Sequence, residues 1–171
     1  AAIALKYFGC KDVMICDQSD FRLNIAKNLG FLVCNNKKQD LLQVSKEYFG
    51  EAPALSGKTA NIDIFIDAAG APDILSQWQK IGKIGSRMVV VAVLSGMRPV
   101  DILHMTYAQQ ELIGSGGYMP EDVRDVMAIM ESGKWNIESI ITDEFPWEKL
   151  PEAIEKAADV NNSLNVVIYY N

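Results

Sequence analysis

The chain has 171 residues, 49% hydrophobic, 22% charged and 9% aromatic, with 12 Gly and 6 Pro. That composition excludes a disordered tail, a collagen and a low-complexity scaffold, and the length suffices to bury a core. The net charge of −6 is uneven: residues 1–100 hold 12 basic and 9 acidic side chains, residues 101–171 hold 4 and 13. An acidic chain without a basic stripe excludes nucleic acid as an expected partner, whereas the less acidic front part suits a small phosphate-bearing ligand. No apolar run approaches the roughly 18–20 residues needed to cross a bilayer. Residues 1–8 lack the cationic lead and cleavage site of a secretory leader. Cys10, Cys16 and Cys34, spaced by six and eighteen, fit neither a disulfide framework nor a C-x-x-C zinc pattern. They read as reduced thiols of a cytoplasmic protein.

The chain opens in an amphipathic helix carrying Ala1, Ile3, Ala4, Leu5 and Phe8 on its apolar side, with Gly9 as the stop. Residues 12–17 (DVMICD) read as a short buried strand. Ser19 or Asp20 caps a helix through Leu29 that Gly30 ends. Residues 31–34 form a second strand, 39–49 a second helix, and 50–57 a Gly/Pro/Ser-rich loop. A third strand over 61–67 (NIDIFID), a helix over 73–81 and a β-branched strand over 86–93 (SRMVVVAV) follow. Runs this uniform predict burial on both faces, as in a parallel sheet covered by helices. A strand near 111–115, helices near 121–132 and 147–159, and a last strand over 164–170 complete the chain. Strands alternating with helices predict a doubly wound α/β domain.

In such sheets ligands bind beyond the carboxyl ends of the strands. The first strand ends at Asp17, followed five residues on by Arg22. An acid in that place accepts both hydroxyls of an adenosine ribose, or else serves only as a helix-cap or dipole partner. Asp67-Ala68-Ala69-Gly70 ends a later strand, where small residues admit a flat ring or sugar or simply make a tight turn. Val91-Ala92-Val93 ends the longest strand and offers backbone groups to an amide, with plain core packing as the alternative. Gly114-Ser115-Gly116-Gly117 is neither G-x-G-x-x-G nor a P-loop, and reads as a strand exit.

Other motifs carry less. Tyr7 and Lys11 share the spacing of an acid/base pair, but Gly9 and a turn separate them. His104, the only histidine, stands between Leu103 and Met105 and reads as a packing or capping residue. Met119, Met127 and Met130 read as helix core. Glu121 and Asp122 suit the first turn of their helix, where negative charge meets the dipole.

In this order the motifs K-Y-F-G-C-K-D-V-M-I-C-D-Q-S-D-F-R, I-D-A-A-G-A-P, G-S-R-M-V-V-V-A-V and E-L-I-G-S-G-G-Y resemble the zinc-dependent medium-chain alcohol dehydrogenases. The threonine, sorbitol and butanediol dehydrogenase branch is the most similar, and the segment S-G-K-W-N-I-E-S-I-I-T-D-E-F-P-W-E-K-L-P-E-A-I-E extends the likeness to nearly the whole chain. The resemblance implies that Asp17 binds the ribose of NAD and disfavours the 2′-phosphate of NADP, and that Arg22 lies near the adenine. It implies that Ala69 and Gly70 wall the site, and that Val91, Ala92 and Val93 meet the nicotinamide carboxamide through their backbone. It places Ser115 and Gly116 near the nicotinamide as well.

The resemblance also implies what differs. In the family a first strand and its G-x-G-x-x-G loop precede the opening helix, and a catalytic domain bears the zinc ligands. The expectation is therefore a coenzyme-binding fragment with no catalytic or metal residue of its own. It would be a Rossmann-type parallel sheet lacking its first strand (residues 1–117), followed by a helical and strand segment (118–171) that in the family returns to the catalytic domain. Asn165 stands where many relatives carry a basic residue serving the pyrophosphate. The intact enzyme would pass hydride between a small alcohol or polyol and NAD, and the isolated chain would be inactive. A central strand missing from a sheet leaves backbone groups unpaired, so a homo-oligomer is expected, or a gap filled by another strand such as 164–170. The alternatives are a nucleotide-binding or regulatory module without catalysis, and an α/β methyltransferase binding S-adenosylmethionine.

Overall fold

The structure is a computed structural model that describes residues 1–93 and 95–170. It divides into two compact units, Ala1–Gln39 with Met119–Asn171, and Asp40–Tyr118.

The first unit begins with helix α1 (Ala2–Tyr7), strand β1 (Met14–Asp17), helix α2 (Asp20–Asn28) and strand β2 (Leu32–Asn35). β1 and β2 pair in parallel, Met14 opposite Leu32 and Asp17 opposite Asn35. The Ser19 hydroxyl caps α2 by accepting from the Arg22 amide, and Asp20 lies in its first turn, where it complements the dipole. Val13, Ala26 and Phe31 form the core, with Ile3, Leu5 and Leu29 packed on it. Later in this unit come α6 (Pro120–Glu131), a 3-10 turn (Ile137–Ile140), β8 (Ile141–Pro146), a second 3-10 turn (Trp147–Lys149), α7 (Leu150–Ala158) and β9 (Asn165–Tyr169).

The second unit holds α3 (Leu41–Phe49), a hairpin β3 (Glu51–Ala54) and β4 (Gly57–Ala60), β5 (Ile64–Asp67), α4 (Ile74–Ile81), β6 (Arg87–Val90), α5 (Ile102–Ala108) and β7 (Glu111–Gly114). β5, β6 and β7 form a parallel sheet in that order, with Asp67 beside Val90 and Val90 beside Gly114. Trp78, 1% exposed, packs with Leu75 and Met88 against Phe65, Val90 and Val100. Its indole N–H donates to the buried Ser86 hydroxyl. Beside that bond Gly82 has room for nothing larger, because an added Cβ would lie 2.5 Å from Ser86 Oγ and 2.8 Å from the Trp78 carbonyl.

Thus the expected α/β architecture is present, with its parallel strands in two pieces, and several local expectations need correction. Residues 50–57 are not a loop but part of the antiparallel hairpin, tied at its base by Glu51 to Lys46 and Lys58. The strand expected over 86–93 stops at Val90, because the amides of Val91 and Ala92 both turn to the Asp67 carbonyl. Burial on both faces fails at β7, all four of whose residues are exposed, since it is the sheet's edge strand with one neighbour. Met119, Met127 and Met130 are 63%, 54% and 54% exposed, so they are not core; only Ile129 of α6 is buried. Among the described residues the terminal strand, expected as a candidate to fill the gap, is paired in parallel with β8. Helix α5 and strand β8 were not read from the sequence, and the helix expected over 147–159 begins with a 3-10 turn.

Candidate nucleotide site

The acid that ends β1 sits in a self-capped turn. Asp17 Oδ1 accepts from the Ser19 amide at 2.8 Å, and Ser19 in turn caps α2. Arg22 Nε donates to the Ser163 carbonyl at 3.2 Å, pinning the first turn of α2 to the segment that enters β9. Asn165 turns its amide to the Ile140 carbonyl at 3.2 Å.

Opposite Asp17, the buried Asn35 holds both neighbouring turns. Its Nδ2 donates to the Gln18 carbonyl at 3.2 Å and to Asp20 Oδ1 at 2.6 Å. Its Oδ1 accepts from the Lys37 amide at 3.1 Å, and its own amide donates to Gln39 Oε1 at 3.0 Å. Lys38 makes an exposed ion pair with Asp20. Hydrogen bonds from Lys38 and then Asn35 hold the Asp20 carboxyl below the usual carboxylate range. Under this turn Cys16 and Cys34 are register partners. Cys16 is exposed as a residue, yet desolvation of its sulfur, and next the neighbouring Cys34, pushes its thiol up to about 12.

In the other unit one carboxylate organises the strand ends. Asp67 is fully buried; its carbonyl accepts from Val91 and Ala92 at 2.9 and 3.0 Å. Its Oδ1 accepts from the Ala69 and Gly70 amides at 3.0 and 2.8 Å, and Gly70 takes the positive φ (74°) that this turn needs. The Ser115 amide donates to the Val90 carbonyl at 2.9 Å. Ala69, Gly70, Val91, Ala92 and Ser115 therefore gather at the carboxyl ends of β5, β6 and β7, with Val93 and Gly116 exposed at the ends of their segments. Further out, Gln79 and Asp101 exchange two amide hydrogen bonds of 2.8 and 2.9 Å, which anchor the segment leading into α5.

Sequence reasoning passed over Asn35 and Asp67 as organisers. Their signals were present: an Asn that bonds the amide two residues on, and an Asp three residues before a glycine, are side-chain-to-backbone turn motifs. The remaining candidates are local. Tyr7 packs edge-on against Phe8 and Trp135, Lys6 rather than Tyr7 reaches the Lys11 carbonyl, and the His104 amide is capped by Asp101.

Chemically, Asp17 offers a carboxylate at a strand end, and the Val91–Val93 backbone offers polar groups to an amide. Among the described residues no group of three or more His, Cys, Asp or Glu could hold a metal ion, so no zinc ligand set fits here. No described helix is long and apolar enough to cross a membrane.

Parallel β-α-β pieces whose strand ends carry an acid and small-residue turns define the class of doubly wound, Rossmann-type coenzyme-binding proteins. Within that class the chain belongs to the zinc-binding dehydrogenase family, whose family pattern matches residues 1–132. It is similar to sorbitol dehydrogenase 1 of Saccharomyces cerevisiae, 26% identical over 148 residues that cover 86% of this chain and 41% of that protein. It is likewise 26% identical to L-threonine 3-dehydrogenase of Legionella pneumophila (strain Corby), over 91% of this chain and 44% of that one. A short chain alcohol dehydrogenase of Escherichia coli CFT073, solved with its cofactor NADH, superposes with a TM-score of 0.79 at 23% identity, covering 98% of this chain and 48% of that one. The chain thus spans about two fifths of the length of the curated relatives it matches.

Proposed function

We propose that this chain is the coenzyme-binding part of an NAD-dependent, zinc-type alcohol or polyol dehydrogenase. The observation that carries the reading is Asp17, set at the carboxyl end of β1 in a turn closed by Ser19. In this reading Asp17 accepts the adenosine ribose hydroxyls and its charge disfavours a 2′-phosphate. Arg22 lies beside the adenine, Ala69 and Gly70 let the coenzyme approach the backbone, and Val91, Ala92 and Val93 orient the carboxamide. Ser115 and Gly116 close the nicotinamide end. Bound NAD supplies a hydride acceptor; the chain's own part is to bind and orient it.

No described residue set fits zinc, so the alcohol-polarising chemistry of this family is not assigned to this chain, and the chain alone is expected to be inactive. Residues 1–117 would be the coenzyme domain and 118–171 the segment returning to a catalytic domain. A cytoplasmic homo-oligomer acting on a small secondary alcohol fits this reading, and the exposed Leu112 and Ile113 of edge strand β7 support self-association.

Parallel titrations with NADH and S-adenosylmethionine test the proposal. Saturable binding of NADH alone is expected, and preference for S-adenosylmethionine would reject it. Zinc-stimulated reduction of NAD by this chain with any secondary alcohol would reject the assignment of inactivity.

A further inference from the structure

Asn35 differs from the other polar groups at this strand end: it is only 5% exposed, and every polar atom of its side chain is committed to a turn. It stands in register opposite Asp17, at the end of the adjacent strand. Nδ2 reaches forward to the turn that follows Asp17, and Oδ1 closes the turn that follows β2. The exposed Lys38–Asp20 ion pair also spans these turns, but both side chains are more than half exposed. Water and salt screen such a pair, whereas a buried amide holding three partners is not screened.

From this geometry we infer that Asn35 is a positioning residue for coenzyme selection, joining the two turns into one preformed rim that fixes the Asp17 carboxylate. The inference rests on the nucleotide reading of Asp17. If Asp17 discriminates NAD from NADP by charge at a fixed place, loosening its turn weakens NADH binding and also narrows the preference over NADPH. A side chain that mattered only to the fold would lower both affinities together.

The rim is probed by hydrogen exchange at the Ser19 and Lys37 amides, and by titration with NADH, NADPH and 5′-AMP, on the full chain. Asn35→Ala is expected to speed exchange at both amides and weaken NADH about tenfold, with a smaller loss for NADPH. Asn35→Asp keeps the acceptor for Lys37 but removes the donor toward Gln18 and Asp20. It should therefore speed exchange at Ser19 alone and narrow the preference in the same way, which keeps the test decisive if the alanine variant folds poorly. Lys38→Ala is expected to leave both affinities within about twofold.

Equal losses for NADH and NADPH, or unchanged Ser19 exchange in both Asn35 variants, would overturn the positioning role while wild-type binding stands. A wild-type chain indifferent to NADH and to 5′-AMP would overturn the nucleotide reading itself, and the role of Asn35 with it.

Discussion

The two strand-end clusters are built on opposite principles. In the unit containing β5, β6 and β7, the turns hang from the buried Asp67, whose Oδ1 accepts from two backbone amides, above a core that includes Trp78 and Met88. In the unit containing β1 and β2, the turns are joined through side chains: Asn35 is buried, but Asp20 and Lys38 face solvent. Backbone bonds to a buried group survive most substitutions nearby, because the amides stay whatever the side chain. Side-chain links change with every substitution, so the β1–β2 cluster is the one suited to tune selectivity and the β5–β7 cluster the one suited to constant contacts.

The largest expected effect tests the buried half of that contrast. Asp67→Ala leaves the Ala69 and Gly70 amides without their acceptor and should cost about 2–4 kcal/mol in denaturant unfolding. A loss under about 0.5 kcal/mol would mean the turn does not depend on the carboxylate. Gly82→Ala comes next: the new Cβ must displace Ser86 Oγ or the Trp78 carbonyl, with an expected loss of about 1–3 kcal/mol. Ser19→Ala removes the hydroxyl that caps α2 while keeping the amide that donates to Asp17, and about 1 kcal/mol is expected.

Near neutral pH, titration gives the smallest effects. Asp20 is held below its ordinary range, so its contribution is present above the unfolded value and fades as pH falls through the folded one. Lying at the exposed rim, it should produce only a slight acid-side loss in a melting series, and Lys38→Ala should reduce it while the Asn35 hydrogen bond keeps the remainder. Cys16 works in the opposite direction. Its folded value near 12 lies above the ordinary 9.0, so stability should fall as pH rises from about 9 toward 12. Alkylation of Cys16 should accordingly be slow at pH 8 and accelerate on unfolding; equal rates in native and unfolded chains would refute the desolvated thiol.

Much of this was legible in the sequence because it is local. Ser19 is a helix cap written as a single residue before an apolar repeat, and the strands ending at Asp17 and Asp67 are short apolar runs closed by an acid. The hairpin at 51–60 was not legible, because Ala, Pro, Gly and Lys are poor strand formers and the pairing is fixed by Glu51 between two lysines. Exposure of the α6 methionines was not legible either: periodicity marks an apolar face without saying what covers it. At the site, Asp17 and the turns were readable as strand ends, whereas Asn35 acts through partners up to 17 residues away. Such a hub appears only once the strands are laid side by side.

The account turns on Asp17, and calorimetric titration of NADH and NADPH into the chain and into Asp17→Ala tests it most directly. Saturable NADH binding that exceeds NADPH binding, weakens about tenfold in the variant and loses its preference there is the predicted result. NADH and NADPH bound alike by the wild-type chain, or NADH bound equally by chain and variant, would contradict it.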